Sequence, residues 1–341
     1  MGYNVAVLGA TGLVGQEFLK VLEQRRFPID SLKLLASARS AGKKLVVLGT
    51  EHVVEEAKSG CFEGIDIAFF SAGGEASRHF TPIAICEGAT VVDNSSAYRM
   101  EPDVPLVVPE VNPEDVKKHK GIVANPNCST IQMVVALAPL HAVNPIKRVV
   151  VDTYQAVAGT GVAALEELRT QSRLFLDGES IVPHVYSHQI AFNVLPEIDV
   201  FLDSGYTKEE QKMILETKKI MHAPDTAVSA TCVRVPVFIG HSEAVHVEFS
   251  SHMSVEQAVR ILSTAPGVKV IDDPSVSMYP QALVAAGTDE VYVGRLRQDL
   301  SHPNGLAMWV VADNLRKGAA LNAVQITEKM IENNWIRRQE G

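Results

Sequence analysis

Residues 4–15 of the chain read NVAVLGATGLVG, an apolar run that passes directly into a turn with three glycines. The run from Asn4 to Leu8 has the length and β-branched content of a buried parallel strand. Phe18, Leu19 and Leu22 then recur at helical spacing. Between a strand and a helix, glycines let the backbone approach a pyrophosphate, which binds at the helix N-terminus. The spacing is GxxGxxG rather than GxGxxG, so an ordinary strand-to-helix turn remains an alternative.

The turn after the next strand indicates which dinucleotide is bound. The predicted strand Leu32–Ala36 runs into residues 37–43, SARSAGK. A protein that selects NAD usually has Asp or Glu there, because a carboxylate binds the ribose 2′-hydroxyl. Arg39 and Ser40 suit a 2′-phosphate instead, so NADP is the predicted cofactor. A solvated basic loop is the alternative.

Further strand-and-turn units complete the first half of the chain. The predicted strands are Ile65–Phe70, Thr90–Asp93, Leu106–Pro109 and Gly121–Ala124. Gly and Ser residues follow the first two, at the carboxyl edge where doubly wound sheets bind ligands. This half therefore predicts a Rossmann-type nucleotide-binding domain.

Composition narrows the class of protein. The 341 residues are 46% hydrophobic and 21% charged, which is typical of a globular chain with two domains. A net charge of -9 argues against nucleic acid or an anionic membrane as the main partner. No apolar run approaches the roughly 18 residues of a membrane span, and no secretory signal is apparent. Four scattered cysteines without a CxxC spacing favour a reducing cytoplasm.

Residues 125–130, NPNCST, form the segment that most clearly indicates a catalytic residue. A turn-forming segment precedes Cys128 and an apolar run follows it, so a helix should begin there. Helix N-termini present unpaired N–H groups and the positive end of the peptide dipole. A thiol at this position is shifted toward the thiolate, which is the nucleophilic form. The alternative is a cysteine that only fills the core.

The second half of the chain has the residue pattern of a β-sheet that is covered on one face. Strands are predicted at Arg148–Val157, Val228–Phe238, Ala244–Ser251, Val291–Leu296 and Ala307–Val311, and helices at Gly161–Leu176, Lys208–Met221, Val255–Ser263 and Asn314–Trp335. Alternating apolar and polar residues favour a mainly antiparallel sheet. We therefore expect an α/β fold with a nucleotide-binding domain at 1–127, completed by a C-terminal helix at 315–341. An α+β catalytic domain at 128–314 would follow the first.

The whole chain resembles aspartate-β-semialdehyde dehydrogenases of the bacterial type. The matching segments are residues 9–12, 35–43, 107–112, 125–130, 153–157, 191–193, 195–196, 232–236, 241–243 and 313–315. The resemblance implies interconversion of aspartate-4-semialdehyde, phosphate and NADP⁺ with aspartyl-4-phosphate and NADPH. The resemblance further implies that the reaction runs reductively in cells, toward lysine, threonine and methionine. It also implies a homodimer formed through residues 128–314, with small-molecule substrate and inorganic phosphate as partners.

The resemblance assigns roles to single residues. Cys128 would attack the carbonyl carbon and carry a thioester, and His241 would act as acid and base. Arg234 would bind the substrate's α-carboxylate. The remaining assignments are Gln155 orienting the acyl group, Glu209 binding the amino group, and Arg99 and Lys212 binding phosphate. Judged by their residues alone, Gln155 could cap a strand end, and Glu209 with Lys212 could be a charge pair on a helix surface.

Cofactor contacts are implied in the same way. They are Thr11, Gly12, Leu13 and Val14 at the pyrophosphate, Arg39 and Ser40 at the 2′-phosphate, Ala158 and Gly159, and Asn314 near the nicotinamide. Ala158 departs from the serine frequent in the family, which removes a hydroxyl from this part of the site. No metal is expected, because His184 and His188 have no evident third ligand. No role is assigned to residues 171–188.

Two other functions remain open on the sequence. A related reductase acting on N-acetylglutamyl phosphate would use the same cysteine and histidine. A non-catalytic NADP-sensing protein would keep the nucleotide-binding fold without chemistry, since fold alone does not determine function.

Overall fold

The computed structural model describes residues 2–336 and contains two compact units. One unit comprises the chain up to Pro126 together with the segment from Ala319 onward, and the other comprises Asn127 to Gly318. Residues 337–341, the end of the predicted C-terminal segment, lie outside the described residues. Within 2–336, none of the helices combines the length and apolar content needed to cross a membrane.

The first unit is built on a six-stranded sheet in which every neighbouring pair is parallel. Its elements are β1 (Tyr3–Leu8), α1 (Leu13–Gln24), β2 (Ile29–Ala36), β3 (Lys44–Val47), β4 (Thr50–Val53), β5 (Glu55–Glu56), β6 (Ile67–Phe70), α2 (Gly74–Cys86), β7 (Thr90–Asp93) and β8 (Ile122–Ala124). The strand order is β5-β2-β1-β6-β7-β8, while β3 and β4 form a separate antiparallel pair. From β1 the chain passes through β2 to the edge strand β5, and it then returns to form β6 on the other side of β1. The carboxyl ends of β1 and β6 therefore form the switch point where doubly wound sheets bind ligands. The Rossmann-type prediction is confirmed.

The predicted strand at Leu106–Pro109 is wrong. Leu106 forms only an isolated parallel bridge with Ala124 in the described chain. The side chain of Asn112 takes up the backbone groups that a strand would use. Its Oδ1 accepts from the N–H of Val108 at 2.9 Å, and its Nδ2 donates to the carbonyl oxygen of Leu106 at 2.9 Å. An asparagine side chain that bonds nearby backbone in this way competes with sheet formation.

The second unit contains a mixed six-stranded sheet with helices. Its elements are α3 (Cys128–Val143), β9 (Ile146–Gln155), α4 (Val162–Asp177), α5 (Lys208–Ile220), β10 (Ala227–Arg234), β11 (His241–Phe249), α6 (Val255–Thr264), β12 (Val268–Val270), α7 (Ala282–Ala285), β13 (Val291–Gln298) and β14 (Gly305–Ala312). The order is β10-β9-β11-β14-β13-β12. The inner pairs are antiparallel, as predicted, whereas β9 with β10 and β12 with β13 are parallel. The long connection from β9 to β10, which contains α4 and α5, is what allows a parallel pairing.

Helix α3 lies at the centre of this unit. Every residue from Ile131 to Leu137 is buried, so the helix is covered on all faces. This is typical of a helix that other elements enclose. It packs on β9, β11, β13 and β14, with α5 and α6 beside it. Because its first residue is Cys128, the core of the second unit fixes the position of that thiol.

The predicted helix Asn314–Trp335 is present with shorter bounds and an irregular first turn. A π-helical turn at Arg316–Ala320 runs directly into α8 (Leu321–Glu332). Asp313 explains the irregular start: its Oδ1 accepts from the N–H groups of Leu315 and Arg316, and its carbonyl oxygen accepts from Gly318 N five residues on. Helix α8 belongs to the first unit, where residues 320–330 contribute to the hydrophobic core.

Candidate active site

Cys128 is the first residue of α3, and its side chain is partly exposed. Asn127 caps the helix, since its Oδ1 accepts from the N–H groups of Ser129 at 3.0 Å and Thr130 at 3.2 Å. Cys128 thus lies at the positive end of the helix dipole, as its sequence context predicts. A cysteine that only fills the core does not fit a partly exposed side chain.

Two glutamates of helix α5 accept hydrogen bonds from Asn127, the residue before Cys128. The backbone N–H of Asn127 donates to Glu216 Oε2 at 2.7 Å, and Asn127 Nδ2 donates to Glu209 Oε1 at 2.8 Å. The two glutamates lie two turns apart on one face of α5, and both are buried. Sequence reasoning missed the roles of Asn127 and Glu216. The spacing of seven between the glutamates was the available signal, because it places both on one helix face.

Gln155, at the end of β9, joins the same network. Its Nε2 donates to Ser129 Oγ at 2.8 Å and to Glu209 Oε1 at 3.2 Å. The side chain is buried and bonds to the residue directly after Cys128, so it does not cap a strand end. Ser129 is a further site residue that sequence reasoning missed.

Arg234 and His241 both form hydrogen bonds to the backbone of Ala156. Arg234, the last residue of β10, donates from Nη1 to the carbonyl oxygen of Ala156 at 2.8 Å. The N–H of Ala156 donates to His241 Nδ1 at 3.0 Å. A Cβ built on Gly159 would lie 3.0 Å from Arg234 Nη1 and 3.5 Å from His241 Nε2. The missing side chain of Gly159 therefore leaves space beside both groups.

Burial and the hydrogen bond from Ala156 determine the charge and the tautomer of the His241 imidazole. Full burial, followed by the nearby charge of Arg234, lowers the pKa of His241 well below its usual value. Because Nδ1 accepts a hydrogen bond, the neutral ring carries its hydrogen on Nε2. Within the described residues, neither His241 Nε2 nor Arg234 Nε has a hydrogen-bond partner, although both are buried. Unpaired buried donors on two residues that both bond to Ala156 fit the binding of an acceptor group.

Glu209 and Lys212 form part of a three-residue charge cluster. Lys212 Nζ donates to Glu209 Oε2 at 3.0 Å and to Asp199 Oδ2 at 2.8 Å. Burial alone would raise the pKa of Glu209, but the charge of Lys212 and the Asn127 hydrogen bond lower it. Burial likewise opposes the charged form of Lys212, and the two carboxylates outweigh it, so the pKa of Lys212 is raised. All three groups are thus held ionised.

A buried acid lies beyond His241 on β11. Glu243 is fully buried, burial raises its pKa well above the usual value, and neither of its carboxyl oxygens has a hydrogen-bond partner among the described residues. Thr153 lies directly opposite Glu243 on β9. Sequence reasoning gave Glu243 no role, and its burial favours the uncharged form of the carboxyl group.

The glycine turn of the first unit borders a cavity of about 530 Å³. Thr11, Gly12, Arg39 and Ser40 all line it. A Cβ built on Gly9 would lie 2.4 Å from the carbonyl oxygen of Ser71, and Gly9 has a φ of +87°. Only glycine fits that position.

The same turn requires a second glycine. A Cβ on Gly15 would lie 2.1 Å from the carbonyl oxygen of Gly9, so the start of α1 packs against the turn only without a side chain there. Leu13 and Val14 are the first residues of α1, where backbone N–H groups are available to a phosphate. The closely packed glycine turn, the start of α1 and Arg39 all lie where a dinucleotide could bind in this cavity.

The remaining predicted residues are held by backbone contacts within their own units. Arg99 donates to the carbonyl oxygens of Asn125 at 2.9 Å and Asn94 at 3.0 Å. Ala158 is buried in a 3₁₀ turn, and its N–H donates to the carbonyl oxygen of Phe238 at 3.1 Å. Asn314 accepts at Oδ1 from Gly240 N at 2.9 Å. Within residues 2–336, no group of three His, Cys, Asp or Glu side chains is arranged to hold a metal ion.

Two family models match the chain, and each match lies within one of the two structural units. Residues 4–119 match the family model described as "Semialdehyde dehydrogenase, NAD binding domain", and residues 137–317 match "Semialdehyde dehydrogenase, dimerisation domain". The first unit thus carries a nicotinamide-cofactor domain, and the cysteine, arginine and histidine described above belong to the second.

Individual relatives cover the chain almost completely. The chain is 57% identical to aspartate-semialdehyde dehydrogenase of Aquifex aeolicus, over 98% of this chain and 100% of that protein. It is similar to aspartate semialdehyde dehydrogenase II of Vibrio cholerae complexed with ASA, at a TM-score of 0.95 and 48% identity over 98% and 99% of the two chains. The Candida albicans enzyme with NADP gives a TM-score of 0.78 at 29% identity over 98% and 100%. The chain therefore belongs to the aspartate-semialdehyde dehydrogenase family.

Proposed function

We propose that this chain reduces L-aspartyl-4-phosphate to L-aspartate-4-semialdehyde with NADPH, releasing phosphate, and also runs the phosphorylating oxidation in reverse. The reaction would supply lysine, threonine and methionine biosynthesis. One observation carries the proposal: Cys128 begins a capped helix in the unit where Gly159 leaves space beside Arg234 and His241, each of which has a buried N–H without a partner among the described residues. An acyl group with a carboxylate and a carbonyl oxygen satisfies such an arrangement.

Cys128 divides the reaction into two steps. Its thiolate attacks the acyl carbon, a C–S bond forms, and the C–O bond to phosphate breaks with its electron pair leaving on phosphate. The product is a thioester on Cys128. When bound, the reduced nicotinamide supplies the hydride that reduces this thioester. The C–S bond then breaks, the sulfur keeps the electron pair as thiolate, and the aldehyde is released.

His241 stabilises the oxygen that becomes negatively charged. Its Nε2 carries the hydrogen in the resting tautomer, so it donates to the carbonyl oxygen during reduction. This hydrogen bond stabilises the oxyanion in both directions without transferring a proton. The acid/base role expected from the resemblance would require Nε2 to accept a proton in oxidation, which the Ala156 N–H on Nδ1 opposes because it keeps the hydrogen on Nε2. His241 therefore acts chiefly as a donor to the oxygen.

Three other side chains orient the substrate. Arg234 commits Nη1 to Ala156, and its remaining donors are available to the α-carboxylate. Glu209 is held ionised and suits the substrate's ammonium group. Gln155 is fixed by Ser129 and Glu209 beside the nucleophile, where it orients the acyl group. Arg99 and Lys212 supply the positive charge that a phosphate requires.

The cofactor is proposed to be NADP rather than NAD. Arg39 is exposed beside the cavity and Ser40 lies next to it, which supports recognition of a 2′-phosphate. The pyrophosphate would bind at Thr11 to Val14. Ala158 and Gly159 would contact the cofactor through their backbone, and Asn314 would contact the nicotinamide.

Assembly and location follow from the family. We propose a homodimer formed through the second unit, whose sheet presents partly exposed Tyr154 and Trp309 in ring contact at 5.4 Å. The cytoplasm is the proposed location. A role in N-acetylglutamyl phosphate reduction is not favoured, because the relatives are named aspartate-semialdehyde dehydrogenases.

Initial rates of nicotinamide reduction test the proposal. We expect NADPH to form from aspartate semialdehyde only when phosphate is supplied, with little reaction when NAD replaces NADP. Cys128→Ser should abolish turnover, whereas Cys86→Ser, at an exposed cysteine outside the site, should not. Equal rates with N-acetylglutamate semialdehyde, or phosphate-independent turnover, would contradict the assignment.

A further inference from the structure

Lys212 is proposed above to bind phosphate, yet its charge is already balanced. Its Nζ donates to Glu209 at 3.0 Å and to Asp199 at 2.8 Å. The cations Lys208 and Arg234 also lie near these two carboxylates. A phosphate that approaches Lys212 must therefore compete with two carboxylates that already accept hydrogen bonds from its Nζ.

The two carboxylates differ in how firmly they are held. The side chain of Glu209 is 7% exposed, and it also accepts hydrogen bonds from Asn127 and Gln155. Removing a buried charge from its partners is strongly unfavourable. Glu209 is thus the fixed partner of Lys212.

Asp199 is the partner that can be displaced. Its side chain is 33% exposed, and it lies between helices α4 and α5 in a segment without regular secondary structure. Its backbone has a φ of +68°, and its Oδ1 accepts from the N–H of Val200. A partly exposed ion pair contributes little net free energy, so an incoming anion can replace it.

We propose that Asp199 competes with phosphate for Lys212 and so weakens phosphate binding by the enzyme. This inference rests on the proposed function, in which Lys212 binds the phosphate. In the reductive direction the same competition assists phosphate release, because the carboxylate re-forms its bond to Lys212 as the product leaves. Asp199 thus acts on phosphate binding through Lys212, as a positioning residue, and it takes no part in bond making or breaking.

The test uses Asp199→Asn in the full-length enzyme. Asparagine keeps the size and tolerates the left-handed backbone, and Asp199→Gly, which tolerates it as well, serves as a second variant. Asp203→Asn is the matched control, because Asp203 is exposed and lies four residues further along the same segment. The KM for inorganic phosphate is measured in the oxidative direction, and phosphate inhibition is measured in the reductive direction.

We expect the KM for phosphate to fall by about two- to fivefold in both Asp199 variants, the range of a partly exposed ion pair. The inhibition constant for phosphate should fall by the same factor, while Asp203→Asn leaves both constants unchanged. An unchanged or raised KM in Asp199→Asn and Asp199→Gly would overturn the inference, as would an equal fall in the control. If wild-type turnover does not require phosphate, the proposed function itself fails, and that result is distinct from an unchanged KM.

Discussion

Replacing Asn127 by alanine should destabilise the second unit and disturb the position of Cys128. The side chain caps α3 through Ser129 and Thr130 and donates to the ionised Glu209 at 2.8 Å. Loss of a helix cap costs about 0.5–2 kcal/mol, and loss of a hydrogen bond to a charged group costs about 1.5–3 kcal/mol. We therefore expect Asn127→Ala to lower the free energy of unfolding of this unit by about 2–5 kcal/mol.

The two tryptophans allow the second unit to be followed by itself. Trp309 belongs to the second unit and Trp335 to the first. In a Trp335→Phe background, fluorescence during guanidinium denaturation reports on the unit that holds Cys128. The rate of alkylation at Cys128, read by peptide mass spectrometry to separate it from exposed Cys86, provides a second measurement.

Asn127→Ser separates the two contributions. Serine keeps an oxygen that can cap the helix but has no donor to reach Glu209, so its loss of stability should lie between wild type and Asn127→Ala. If Asn127→Ala unfolds at the wild-type denaturant concentration, the reasoning about this cap is refuted. Equal losses in the two variants would show that the capping bonds contribute nothing measurable.

Three further predictions concern recognition and pH. Arg39→Asp should reduce the preference for NADP over NAD by at least about tenfold in kcat/KM, because a carboxylate repels the 2′-phosphate; an unaltered ratio would move that recognition elsewhere. Gly159→Ala should raise the KM for aspartate semialdehyde by about tenfold in steady-state kinetics, since its Cβ would lie 3.0 Å from Arg234 Nη1; an unchanged KM would remove this space from the site. Burial raises the pKa of Glu243 above 4.5, so its favourable contribution is present below that pH and is lost as the pH rises toward the folded-state pKa. Glu243→Gln should therefore gain stability over wild type at about pH 8 relative to about pH 5, by about 1.4 kcal/mol per pKa unit, and a pH-independent difference in chemical denaturation would contradict this.

Local signals in the sequence were sufficient for the start of α3 and for the glycine turn. A capping residue, a cysteine and an apolar run specify a helix start without reference to distant parts of the chain. The glycines at 9 and 15 are required by close backbone approach, which the strand–turn–helix pattern anticipates.

Features that depend on side-chain hydrogen bonds to the backbone, or on strand pairing, could not be predicted in the same way. The segment at Leu106 is apolar enough for a strand, but the side chain of Asn112 binds its backbone groups. The irregular start of the C-terminal helix likewise depends on the Asp313 carboxylate, which accepts from nearby N–H groups. Alternation along β9 and β10 indicates a covered face but does not report strand direction, so their parallel pairing was not foreseen.

The site shows the same limit. The pairing of Asn127 with Glu209 and Glu216 joins residues more than eighty positions apart, and spacing on α5 indicates only that both glutamates share a face. Which of several acidic side chains reaches the helix start is decided by tertiary packing. The charge balance around Lys212 could not be read either, because Asp199 lies in a segment without periodic pattern.

The most direct test of the covalent route is a single-turnover experiment without phosphate. Enzyme mixed with aspartate semialdehyde and NADP⁺ should release about one equivalent of NADPH per subunit in a burst and then stall, with an aspartyl group retained on the peptide that contains Cys128. Added phosphate should release that group and restart turnover. Absence of the burst, or a burst with no acyl group on Cys128, would contradict the mechanism.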